Sequence, residues 1–114
     1  MLNRYTITNA NSSWTQVAPG LRRKLIRTDH LMTVIVEFTN GPAEHPDPFH
    51  HHLHEQASYV AEGKLILFME GVGEQELEKG DLFAVPSGIP HTVQILTPVV
   101  RIIDSFYPVR EDFL

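Results

Sequence analysis

The sequence contains no cysteine, which excludes disulfide staples and thiolate metal centres and removes any pointer to an oxidising compartment. Stability therefore has to come from packing. No apolar run approaches the ~20 residues that a bilayer span requires, and neither end carries a lipidation motif. Residues 1–13 are polar, where a secretory signal would set a basic stretch ahead of an apolar one. These absences predict a soluble, cytoplasmic protein with no membrane partner. Basic residues are also scarce: 9 Lys and Arg against 14 Asp and Glu leave a formal charge of −5. A phosphate backbone is bound by concentrated cations, so nucleic acid is not an expected partner. The one basic cluster, Arg22, Arg23 and Lys24, divides between two faces if it lies on a strand and reads as a solvated edge.

What is present points to an ordinary globular chain. Apolar residues make up 42% and charged residues 20% of 114 positions, and a second core would need roughly another 50 residues. One domain over residues 1–114 is expected. Its dominant period is two: Met32, Val34, Val36 and Phe38 alternate with Thr33, Glu37 and Thr39, the pattern of a half-buried strand. Further β-rich runs cover residues 21–27, 57–61, 65–69, 82–85, 93–96 and 99–106. Between them stand turn signals such as Asn40-Gly41-Pro42, Glu62-Gly63, Lys79-Gly80-Asp81 and Pro86-Ser87-Gly88. Short strands punctuated in this way, every ~8–12 residues, predict an all-β sandwich or barrel.

Three histidines are consecutive, His50, His51 and His52, and His54 follows. The run lies between strand-like segments, where a purification tag would not be placed. In extended chain His50, His52 and His54 share one face, and His51 and Leu53 the other. Two imidazoles on one face can share a divalent ion if neighbouring strands add further donors. Gln56 and His91 are the candidates. His30 and His45 read as solvated.

The spacing of these residues resembles a known pattern. Gly41, His50, His52, Gln56 and Gly63 match the first cupin motif, over residues 41–63. Gly80, Pro86, Ser87, Gly88 and His91 match the second, over residues 80–95, with Ile95 where the motif carries asparagine. The alternative pair His52 and His54 would move the next donor to Ser58 and spoil the interval to Gly63. The resemblance implies a single-domain cupin barrel, a double-stranded β-helix of jelly-roll type. It also implies one divalent ion (nickel, zinc, iron or manganese) held by His50, His52, Gln56 and His91. Glutamine stands where most such cupins carry glutamate. A neutral donor set leaves the ion its full charge and favours anionic ligands, and it departs from the facial triad of iron oxygenases.

On the last strand-like run, Val100, Ile102, Asp104 and Phe106 share a face. If that face lines the barrel, desolvation raises the Asp104 pKa and suits it to acid–base work near neutrality. Otherwise it is an aspartate bonded to local backbone. The tail from Asp104 to Leu114, the stretch 48–63 and the opening Gly20-Leu21-Arg22-Arg23-Lys24 are similar to the pectin-degradation cupins. That resemblance implies a homodimeric enzyme that converts 4,5-unsaturated monouronates, small acidic sugars, into their linear keto form. Asp104, Phe106 and Arg110 would form the catalytic pocket, with Arg110 able to clamp a carboxylate in bidentate fashion. An ion pair of Arg110 with Glu111 or Asp112 is the plainer reading of that residue. A dioxygenase, another sugar isomerase or a non-catalytic sugar-acid-binding module are the rival functions. Trp14, Tyr59 and Phe83 read as core aromatics, and Glu70, Glu74, Glu76 and Glu78 as the solvated face of a hairpin.

Overall fold

The computed structural model describes residues 5–114, so the first four residues of the expected domain lie outside it. Among the described residues the chain forms nine strands and two short 3-10 turns. The strands are β1 (Thr15–Ala18), β2 (Leu21–Arg27), β3 (Met32–Phe38), β4 (Glu55–Glu62), β5 (Lys64–Met69), β6 (Gly73–Glu78), β7 (Leu82–Val85), β8 (His91–Ile95) and β9 (Val100–Tyr107). Each expected β-rich run is a strand. Two more, β1 and β6, escaped the pattern because they lie at sheet edges, exposed almost throughout, and so show no apolar alternation. No helix among the described residues is long and apolar enough to cross a membrane.

Pairing is antiparallel throughout, in a six-stranded sheet of order β1-β2-β3-β9-β4-β7 and a three-stranded sheet of order β6-β5-β8. The inner faces meet in a core of Val60, Leu65, Leu67, Ile95, Val100 and Ile102, drawn from β4, β5, β8 and β9. Burying each such side chain contributes ~1.5–3 kcal/mol relative to exposure. A second cluster, Met32, Val34 and Phe106, lies further along β3 and β9.

Two glycines position the segment that carries the histidines. At Gly41 a Cβ would lie 1.8 Å from the Thr97 carbonyl oxygen, and at Gly63, with φ of +80°, one would lie 2.1 Å from that of Val99. Only glycine admits such close approach. From Gly41 the chain runs along the free edge of β8. The Ala43 N–H donates to the Ile95 carbonyl at 2.8 Å, Asp47 N–H to Val93 at 3.2 Å, and His50 and His91 exchange backbone bonds at 3.0 and 2.9 Å. His50 is thereby set beside His91, although 41 positions separate them in the chain.

The outer face of the large sheet corrects three expectations. Glu37 is buried and accepts hydrogen bonds from Arg22 and Arg101, its cross-strand neighbours on β2 and β9. Arg22 is thus half of a network rather than a solvated edge. Trp14 does not enter the core: its ring covers Arg22 at 4.1 Å and Lys24 at 4.5 Å. Tyr59 is also on the outside, 40% exposed, whereas Phe83 packs against the core as expected. The four hairpin glutamates are exposed or nearly so.

Candidate metal centre and cavity

His50, His52 and His91 converge, with one ring nitrogen of each within 4.8 Å of the others. Ring centroids of His50 and His91 are 4.3 Å apart, and those of His52 and His91 4.9 Å. The tautomers follow from the backbone. Nδ1 of His91 lies 2.8 Å from the Ile89 carbonyl oxygen, and Nδ1 of His52 lies 2.9 Å from that of His54. A carbonyl only accepts, so each Nδ1 carries the hydrogen and each Nε2 presents a lone pair. Both Nε2 atoms are buried without a hydrogen-bond partner, a costly state for a polar atom unless something is bound there. Carbonyl-oriented imidazoles with free Nε2 atoms are the arrangement in which histidine ligates metals. The three histidines are therefore placed to bind a metal ion.

Partial desolvation favours the neutral form of these rings, the form that ligation needs. Desolvation, reinforced by the neighbouring histidines and Arg110, pushes His50 down to about 4, and desolvation also lowers His52 and His91. Gln56 sits at the start of β4, beside this trio. Its amide nitrogen donates to Ser58 Oγ at 2.9 Å and to Asp104 Oδ1 at 3.2 Å, and its side chain also lies against His52. With nitrogen thus engaged, the carbonyl oxygen is the part of the Gln56 amide that remains free to accept. His54 stands behind the trio: its ring stacks on that of His52 at 4.0 Å and 10°. His51 is exposed.

Asp104 lies on the inner face of β9, between Val34 of β3 and Ser58 of β4. It accepts from Ser58 Oγ at 2.5 Å as well as from Gln56. Burial pushes its carboxyl up to about 6, against the pull of those two hydrogen bonds and of Arg110. Phe106, two residues on, is buried and stands edge-on to His52 and His54. Arg110 follows the strand, its guanidinium 5.4 Å above the Phe106 ring. It lines the cavity, but its fork is occupied by Asp112 at 3.2 and 2.7 Å.

His50, Gln56, His91, Asp104, Phe106 and Arg110 all line one cavity of about 230 Å³. That is below the roughly 300–1,000 Å³ of drug-sized ligand pockets and suits a single sugar ring. Ser58 was not singled out from the sequence. Its signal was alternation, since Gln56, Ser58 and Val60 share a strand face, but only the β4–β9 register sets it opposite Asp104. Arg23 and Phe113, also on the cavity wall, were read as surface and as tail.

The cupin domain family model matches residues 35–103. The pectin degradation protein KdgF of Dickeya dadantii is 34% identical over 114 residues, covering 99% of this chain and 100% of that protein. Among solved structures, KdgF from a Halomonas species superposes with a TM-score of 0.82 at 35% identity, covering 94% of this chain and 97% of that one. An RmlC-like cupin from Shewanella frigidimarina superposes at 0.85 with 32% identity, covering 96% of each.

Proposed function

The chain belongs to the cupin domain family, and from that footing we propose that it is a metal-dependent enzyme that ketonises 4,5-unsaturated monouronates from pectin or alginate breakdown. One observation carries the reading: His50 and His91 of the three-histidine cluster line the same cavity as the buried Asp104 carboxyl, and its volume suits one sugar ring. Similarity to two KdgF proteins over nearly the whole chain supports the substrate class.

The conversion is an isomerisation and needs no oxidant. The bond between the anomeric carbon and the ring oxygen breaks, the anomeric hydroxyl gives up its proton and becomes the aldehyde carbonyl, and the ring oxygen takes a proton, leaving an enol. The enol hydroxyl then loses a proton while the adjacent alkene carbon gains one. Asp104 suits both transfers because a carboxyl near 6 can donate and accept at neutral pH. Ser58 and Gln56 both hold Oδ1, which leaves Oδ2 for the exchange. Phe106 supplies an apolar wall that keeps water from the ring, and Arg110 adds positive potential over the site. A divalent ion held by His50, His52, His91 and Gln56 would supply Lewis-acid polarisation of a substrate oxygen. The reading includes a cytoplasmic homodimer, supported by the lack of cysteine and by the edge strands β1 and β6.

The test is to supply lyase-generated unsaturated monouronate and follow loss of its conjugated ultraviolet absorbance. Acceleration over the spontaneous reaction, abolished by chelator and restored by a divalent ion, is expected. No acceleration would overturn the proposal, and oxygen uptake in its place would favour a dioxygenase.

A further inference from the structure

Arg23 lies on the inner face of β2, between Leu21, which also lines the cavity, and Leu25, which packs on the Met32, Val34 and Phe106 cluster. A guanidinium on an otherwise apolar inner face carries a desolvation cost unless something pairs with it. The other described arginines have partners. Arg22 and Arg101 bond Glu37, Arg110 bonds Asp112, and Arg27 bonds backbone carbonyls. Among the described residues Arg23 has no ion pair or side-chain hydrogen bond; its contact is the Phe113 ring, 3.9 Å beneath the guanidinium. Asp47, another acid along the cavity, is exposed and forms no ion pair with it.

Stacking of this kind uses the flat face of the guanidinium and leaves its edge donors free in a fork that matches a carboxylate. Arg110, 4.0 Å from the same Phe113 ring, has already given its fork to Asp112. We propose that Arg23, shelved on Phe113, receives the carboxylate of the ligand and so sets the preference for a sugar acid over a neutral sugar. The proposal deepens the uronate reading and rests on it for the class of ligand.

The experiment compares the parent with Arg23→Gln, Arg23→Lys and Arg110→Gln, each metal-loaded and checked for fold by thermal melting. Two readouts are used: KM and kcat on unsaturated monouronate, and calorimetric binding of galacturonate against its methyl ester, which needs no turnover. Losing a hydrogen-bonded charge partner predicts a KM about 10–100-fold higher in Arg23→Gln, with kcat little changed. The acid-over-ester preference should collapse in that variant, recover partly in Arg23→Lys and persist in Arg110→Gln. A parent that binds galacturonate through Arg23 yet leaves the unsaturated sugar untouched would sink the reaction and keep this inference. The inference is overturned if Arg23→Gln keeps the preference, if the preference vanishes in Arg110→Gln instead, or if the parent has none.

Discussion

Two carboxylates have little exposed surface, Glu37 at 4% and Asp104 at 8%, on adjacent strands of one sheet, yet Glu37 lies just beneath its arginines and Asp104 deep in the fold, and their environments drive them in opposite directions. Glu37 faces outward and is flanked in register by Arg22 and Arg101. Burial alone would raise its pKa, but hydrogen bonds and charge from Arg101 and Arg22 outweigh it and leave it lowered. Asp104 faces inward between Val34 and Ser58. It has only neutral donors in contact, and burial prevails. Cations beside a buried acid make a structural clasp, whereas neutral donors beside one make a group that can exchange a proton.

The sharpest test of the contrast is Asp104→Asn. It should slow ketonisation by ~10²-fold or more, the usual scale of acid–base catalysis, with bound metal unchanged by elemental analysis. A variant as fast as the parent would reduce Asp104 to a packing residue. Next comes Ser58→Ala, which removes one donor from Asp104 Oδ1. Loss of a hydrogen bond of ~1–1.5 kcal/mol corresponds to about tenfold in kcat, and a change confined to the melting temperature would contradict the pairing.

Glu37→Gln should behave in the reverse manner, with turnover within about twofold of the parent and a loss of ~1–2 kcal/mol in denaturant unfolding. That figure is kept low because both arginines are more than a third exposed and solvent screens them. The sign of its pH dependence follows from linkage. A carboxylate lowered in the folded state contributes stability above its unfolded value, near 4.5, and loses that contribution as pH falls through the folded value. The gap between parent and Glu37→Gln should therefore narrow below about pH 4.5. A gap that widened on acidification would break the comparison.

The smallest expected effect is that of Tyr59→Ser. Its ring is 40% exposed on the outer face, so stability should shift by less than about 0.5 kcal/mol in the monomeric fold. A large loss would give that face a partner.

Much of this was legible in advance. Alternation marked β3 and β9, because a half-buried strand writes its two environments into successive positions, and β-rich composition marked β2 and β7 almost to the residue. Alternation placed Val100, Ile102, Asp104 and Phe106 on one face, which the fold turns inward. Motif spacing singled out His50, His52 and His91, which come together in the fold. The edge strands β1 and β6 stayed hidden because they are exposed almost throughout. Arg22 was misread because a base on a strand looks solvated until its cross-strand neighbour is known, and Trp14 because an aromatic looks like core until the cations it covers are known.

The division has a physical cause. Side-chain periodicity and glycine placement are local, so the sequence by itself determined strand faces, turns and the identity of the donor atoms. Which atoms meet depends on register between strands far apart in the chain, and only the tertiary structure decided that. Pairing of β4 with β9 set Ser58 against Asp104, and pairing of β3 with β2 and β9 set two arginines against Glu37, while Gly41 let the chain approach β8 closely enough for His50 to reach His91.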